Sequence, residues 1–233
     1  MNISSSLKPE GNRIFASLPP EVRNHIEERS ETRRMRPGDV VFDEGATVTH
    51  VVFPHEGVVS LIARMDNGRT VEKSLIGSEG FLGFAIVMGG KTVFGRSVVQ
   101  VAGHASWLPV AEVHAALLRY DCLREEMLRF TKAHVAQLME SLACASLHNA
   151  QQRVSRWLLQ AHDRVSGNKF HITQEAVATL LALRRATVNA VCADLASAGA
   201  ISYHRGTVNV IDRDRLLDNA CECYGRIRMA AIS

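Results

Sequence analysis

The sequence predicts an α+β chain in three parts: an N-terminal β-roll, one long helix, and a C-terminal helix-turn-helix with a hairpin wing. Three observations predict it. Glycine-bearing turn signals recur at short intervals from Arg36 to Gly80, with apolar runs between them. Glycine is then absent for more than fifty residues after Val110. Finally, the stretch from Gln174 to Val191 has small or apolar side chains wherever two steeply crossing helices need them. The boundaries are 1–115 for the roll, 116–150 for the long helix and 151–233 for the helix-turn-helix domain.

Residues 12–29 read as a short helix, and Leu18-Pro19-Pro20-Glu21 resembles a helix start because prolines are tolerated in a first turn. From Arg36 the turn signals are Pro37-Gly38-Asp39, Glu44-Gly45, Glu56-Gly57, Asn67-Gly68 and Gly77 to Gly80. Strands are predicted between them at Val40 to Phe42, His50 to Phe53, Val58 to Ala63, Thr70 to Ile76, Ser97 to Val101 and Ala105 to Leu108. Many short strands punctuated by glycine indicate a barrel or roll. Asn67-Gly68 is the strongest hairpin signal, since this pair suits a tight turn with positive φ.

The glycine-free stretch is helical. Leu128, Thr131, Val135, Leu138, Leu142 and Ala145 follow a 3-4-3-4-3 spacing within it. This is the pattern of a coiled-coil seam, and it predicts pairing with a second copy of the chain; a helix packed on its own domain is the alternative. Trp157-Leu158-Leu159 opens a second apolar cluster, and Gly167-Asn168 is expected to close that helix.

Thr173 is placed to cap a new helix starting at Gln174. Counted from Gln174, the fifth position is Ala178, and the fourth, eighth, tenth, fifteenth and eighteenth are Val177, Leu181, Leu183, Val188 and Val191. That set fills the contact between two crossing helices. The turn position is Ala182, where a left-handed backbone costs a non-glycine residue about 1 kcal/mol. The second helix, Arg184 to Ser197, presents Arg184, Arg185, Thr187 and Asn189 near its start, and Gly199 reads as its C-terminal cap. Arginine can donate two hydrogen bonds to guanine, and asparagine can pair with adenine. Arg184 and Arg185, helped by Asn189, are therefore expected to read bases in double-stranded DNA. Thr173, Gln174, Thr187 and Arg205 are expected to hold phosphates, Arg205 from the basic tip His204-Arg205-Gly206 of the wing.

Several features together resemble the superfamily of the cyclic-AMP receptor protein and the fumarate-nitrate regulator (CRP/FNR), across nearly the whole chain. They are Arg36-Pro37-Gly38 with Phe42-Asp43-Glu44-Gly45, Gly57-Val58-Val59-Ser60, Gln152-Arg153-Val154 with Trp157-Leu158-Leu159, and Thr173 through Ile211. Leu183 to Val188 (Leu-Arg-Arg-Ala-Thr-Val) and Cys221-Glu222-Cys223-Tyr224 are similar to one bacterial branch. The resemblance implies a cyclic-nucleotide-binding-like jelly roll, a long dimerisation helix and a winged helix-turn-helix. It also implies a homodimer on a two-fold operator with its reading helices about one DNA turn apart, RNA polymerase as a further partner, and a small-molecule effector.

The departures bear on that effector. Members that bind cyclic nucleotides carry Gly-Glu, with Arg-Ser or Arg-Thr about eleven residues on. Here Gly83 is followed by Phe84, so the acceptor for the ribose is missing, and Arg96-Ser97 comes two residues late. Arg96 reads equally as a structural ion pair. The hydroxyls that touch the base align with Leu138 and Met139, and losing a buried polar contact costs on the order of 1–3 kcal/mol. Gly83, Phe84, Arg96, Ser97, Leu138 and Met139 thus mark the effector pocket, and cyclic AMP is not expected in it. In the reading helix, Arg185 and Thr187 match the family pattern, while Ala186 and Ala190 replace a Glu and an Arg.

Charge is uneven. Residues 1–150 hold 16 Lys and Arg against 17 Asp and Glu, and residues 151–233 hold 11 against 7. A mildly basic C-terminal part suits a DNA reader. The opening, Met1 to Arg13, lacks the apolar core of a signal peptide, and no run approaches the roughly 18 apolar residues of a membrane span; a cytoplasmic protein is expected. The five cysteines, at 122, 144, 192, 221 and 223, suggest no disulfide framework. Cys221-x-Cys223 reads as a redox pair, half a metal site or a capping contact. Cys144 and His148 have an i, i+4 spacing that can hold a metal, but no further ligand is evident nearby, so packing is expected and no metal is assigned. No P-loop, nucleophile elbow or HExxH occurs, so no catalytic residue is assigned. Two rival functions stay open: a redox- or metal-responsive regulator using Cys144, Cys221 or Cys223, and a ligand sensor whose DNA binding has lapsed.

Overall fold

The computed structural model describes residues 11–231. The residues Met1–Glu10, most of the opening read above for a signal peptide, lie outside the described residues. The single helix expected over residues 12–29 is two, α1 (Arg13–Ser17) and α2 (Pro20–Glu27). A residue preceding proline is driven out of the helical region, and Leu18 is extended, at φ −79° and ψ 148°. Pro20 then sits in the first turn of α2.

The N-terminal sheet is antiparallel: β1 (Glu31–Met35), β2 (Val40–Phe42), β3 (His50–Arg64), β4 (Thr70–Ile76) and β5 (Arg96–Pro109). Its order is β1-β5-β3-β4, with β2 also paired to β5. Two pairs of expected short strands are therefore two long ones. Glu56-Gly57 is a bulge rather than a turn, because the β3–β5 register shifts between Pro54 and Glu56 and again around Val58. Gly57 has φ +99°, and a Cβ there would lie 2.7 Å from the Val101 carbonyl oxygen. The β3–β4 hairpin closes where Asn67-Gly68 places it. The Gly68 N–H donates to the Met65 carbonyl (2.9 Å) and the Met65 N–H to that of Arg69 (2.8 Å). Strand β1 has no counterpart among the predicted strands, which begin at Val40. Its first four residues are exposed, so it shows no apolar alternation.

Three helices follow: α3 (Val110–Arg119), α4 (Asp121–Leu147) and α5 (Ala150–His162). Asn149 and Gln152 form a reciprocal cap that starts α5. That helix ends at His162, before Gly167. Beyond it lie β6 (Lys169–His171), α6 (Gln174–Leu180), α7 (Arg185–Ser197), β7 (Ile201–His204), β8 (Thr207–Val210), α8 (Arg213–Asp218) and α9 (Cys223–Ala230). Strands β6-β8-β7 form the small wing sheet.

An aromatic ladder runs through the first core: Phe15 to Phe53, Phe53 to Phe81 and Phe81 to Phe130, with centroids 4.9, 5.7 and 5.2 Å apart. It ties α1, the sheet and α4 together. The second core joins Val58, Leu75 and Val101 of the sheet to Val154, Trp157 and Leu158 of α5 and to the helix-turn-helix. Helix α5 is buried on every side from Val154 to His162, which fits its position between the sheet and the helix-turn-helix. On α4, Leu128, Val135, Met139 and Leu142 form an exposed apolar stripe. Thr131, expected on the seam, is instead buried and donates to the Met127 carbonyl. Among the described residues no single helix is long and apolar enough to cross a membrane.

Candidate nucleic-acid interface

Helices α6 and α7 meet at 117°, within the range typical of a helix-turn-helix. Val177, Ala178, Leu181, Val188 and Val191 are buried at their contact, and Leu183 is partly buried against them. Ala182 holds the turn with φ +50°. The Arg153 guanidinium donates to the Leu181 carbonyl (2.6 Å), capping the end of α6. Helix α7 stops in a Schellman motif: the Ala200 N–H reaches the Leu195 carbonyl and the Gly199 N–H that of Ala196, each at 2.9 Å.

Thr173 caps α6, its Oγ1 accepting from the Ala176 N–H (3.1 Å). Gln174, the first residue of α6, is half-buried. Arg184 occupies the N-cap position of α7 rather than its first turn, and no side chain caps this helix. Arg184, Arg185 and Asn189 are exposed and Thr187 half-buried. Arg205 and Gly206 form the two-residue wing turn between His204 and Thr207, with φ +47° and +79°, the pattern of a type I′ hairpin. The structure thus brings Arg184, Arg185, Thr187 and Asn189 onto the opening turns of one helix, beside an exposed Arg205 tip. It adds Glu175, whose Oε2 lies 3.6 Å from the Arg185 Nε. Their pairing across the helix-turn-helix angle left no periodic signal in the sequence.

The helix-turn-helix part is joined to the sheet by buried polar and charged groups. The carboxylate of Glu72 on β4 accepts from the Ser60 hydroxyl and from the Trp157 indole N–H (3.1 Å). Burial pushes its pKa up, against the hydrogen bonds and the charges of Arg156 and Arg164. Arg164, just past α5, donates from Nη2 (2.7 Å) and Nε (3.1 Å) to Glu79 Oε1. For Glu79, burial is outweighed by the charge and hydrogen bonds of Arg164, and its pKa falls. His134 on α4 hydrogen-bonds Ser74 (3.1 Å). Burial lowers its pKa to about 4, with Glu79 opposing and Arg164 adding to the shift.

Of the expected effector residues, Gly83, Phe84 and Ser97 line one cavity with Phe42, Leu82 and Phe94. Its volume is about 10 Å³, the space of one water. Phe84 stacks on Phe94 (5.8 Å) and packs against the ring of His134 (5.1 Å). Arg96 does not line this cavity; its Nε pairs with Asp43 at 3.1 Å. Leu138 does not line it either, and Met139 is exposed on α4.

The structure corrects the expectation that Cys144 and His148 have no further ligands nearby. It gathers Cys144, His148, Cys221 and Cys223 so that their Sγ and ring nitrogen atoms lie within 4.8 Å of one another. The hydrogen bond with Cys221 holds the Cys144 thiol well below its usual range and pushes Cys221 up. Both halves were visible in the sequence, but 73 residues separate His148 from Cys221, and only the packing of α9 along α4 unites them.

Residues 152–218 match the Crp-like helix-turn-helix domain family. Over 226 residues the chain is 26% identical to the CRP-like cAMP-activated global transcriptional regulator of Mycobacterium tuberculosis, covering 89% of this chain and 96% of that protein. Its fold is similar to that of FixK2 from Bradyrhizobium japonicum (TM-score 0.70, 13% identity, 82% of this chain and 98% of that one). It is also similar to the c-di-GMP responsive global regulator CLP of Xanthomonas campestris (TM-score 0.62, 16% identity, 82% and 99%). Residues 152–218 thus carry a Crp-like helix-turn-helix, and the chain as a whole has a CRP-like α+β fold: an N-terminal β-sheet domain, the long α4 and a small wing sheet.

Proposed function

We propose that the protein acts as a homodimer on a two-fold-related DNA operator, with the start of each α7 in a major groove. Arg184, Arg185 and Asn189 read base edges, and Thr173, Gln174, Thr187 and Arg205 hold the phosphates. The observation that carries this reading is the exposure of both arginines and Asn189 at the uncapped start of α7, over a helix pair whose contact positions are buried. The exposed stripe Leu128, Val135, Met139 and Leu142 supports pairing of α4 with its copy. Selection of bound sequences from random DNA should yield a two-fold motif with half-sites about one helical turn apart. An asymmetric motif, or none, refutes the reading.

The effector is not cyclic AMP. A small-molecule site needs about 300 Å³ or more, whereas Phe84 and Phe94 leave a cavity of about 10 Å³ beside Gly83 and Ser97. Phe84 also stands where a ribose acceptor is needed, and Arg96 is engaged by Asp43. Calorimetry is expected to detect no cyclic-nucleotide binding, and micromolar affinity overturns this assignment.

A further inference from the structure

We propose that Cys144, His148, Cys221 and Cys223 form a tetrahedral site for a thiophilic divalent cation, zinc by its chemistry, that ties the end of α4 to the start of α9. The Sγ atoms of Cys144 and Cys221 are 3.5 Å apart, and the Sγ of Cys223 is 3.7 Å from His148 Nδ1. A tetrahedral zinc, with bonds of about 2.3 Å to sulfur and 2.0–2.1 Å to nitrogen, spaces its ligand atoms about 3.5–3.8 Å apart. The protein already holds these two pairs at that spacing.

Three features distinguish the cluster from ordinary packing. The three cysteines are all buried and form a small group apart from the two large cores. A core packed for its own sake has no need to aim an imidazole nitrogen at a thiol. The other ring nitrogen of His148, Nε2, lies 3.2 Å from the Glu222 carboxylate. A carboxylate behind a histidine is the usual outer partner of a metal-bound imidazole, fixing the tautomer that leaves Nδ1 free to ligate. Charge is also compensated. Three thiolates around a divalent cation leave one negative charge, and the buried guanidinium of Arg156 lies beside Cys144.

Binding releases to solvent whatever protons the thiols still carry, oxidises nothing, and leaves four protein ligands with no open position. The site is therefore structural rather than catalytic. It spans the joint between the long helix and the last helix of the DNA reader, so the bound ion holds the reader to α4.

The test uses the full-length reduced protein. Purified without chelator, it should hold one zinc per chain, and cobalt(II) exchanged into it should give the visible bands of tetrahedral thiolate coordination. Zinc should also raise the melting temperature. Cys221→Ser with Cys223→Ser should abolish the cobalt bands, although a buried double substitution can impair folding by itself. Glu222→Gln, at an exposed position, avoids that problem and should weaken metal affinity about 10- to 100-fold. Less than stoichiometric zinc with no tetrahedral cobalt spectrum overturns the proposal. So does metal binding that His148→Ala leaves unchanged, or a Cys144–Cys221 disulfide that forms on mild oxidation at the same rate with and without excess zinc.

Discussion

Arg164 and Arg185 are the same residue put to opposite uses. Arg164 is 8% exposed, and two of its N–H groups converge on one oxygen of Glu79, itself 13% exposed. Arg185 is 72% exposed and faces Glu175 only loosely, at 3.6 Å. A buried guanidinium with a satisfied carboxylate joins two parts of the fold and is costly to remove on one side alone. An exposed one contributes little to stability but is free to meet a ligand. The joint between sheet and helix-turn-helix is built from the first kind of contact, and the exposed face at the start of α7 from the second.

Removing the buried partner should have the largest effect. Arg164→Ala leaves Glu79 uncompensated and should cost about 3–5 kcal/mol of stability, read by urea unfolding; a loss below 1 kcal/mol would show that the pair does not weld the joint. Next comes a pH effect on the same side. The folded pKa of His134, about 4, lies below the ordinary 6.5, so the unfolded chain takes up a proton that the folded chain refuses. Stability present above pH 6.5 should fall by about 3 kcal/mol as pH drops to about 4, and His134→Gln should flatten that part of the profile.

On the exposed side the readout changes. Arg185→Ala should leave unfolding unaltered but cost about 1–3 kcal/mol of specific DNA affinity and relax preference at one base pair. Gel shifts with unchanged affinity and preference would remove Arg185 from the reading set. Ala182→Gly should stabilise the chain by about 1 kcal/mol, because glycine relieves the left-handed turn; an unchanged melting temperature would count against strain there. The smallest effect belongs to Glu175→Gln. Releasing a surface pair is worth about 0.2–1 kcal/mol, so DNA affinity should rise a few-fold at most, and a loss would mean that Glu175 positions Arg185 rather than competing for it.

Local chemistry was legible residue by residue. The apolar spacing from Val177 to Val191, the Thr173 cap, the Gly199 stop and the Asn67-Gly68 hairpin follow from backbone geometry and helical period, which a linear sequence records. Strand continuity was harder to see, because Gly57 accommodates a bulge where glycine ordinarily signals a turn. Strand β1 was invisible because its ladder with β5 fixes an exposed, polar segment that has no apolar period. On α4 the 3-4 spacing does not separate two faces: Leu128 and Val135 are exposed, while Thr131 is turned into the chain's own fold.

The order of roll, long helix and helix-turn-helix, and the residue types exposed at the start of α7, follow from the amino-acid order alone, because they depend on interactions within a turn or two of the chain. What lies between the parts is set by long-range packing. It placed Trp157 on Glu72, Arg164 on Glu79, Phe84 against Phe94 and His134, and Cys144 and His148 on Cys221 and Cys223. Such contacts join residues far apart in the chain. They are selected by complementary shape and charge across packed surfaces, and no local period announces them.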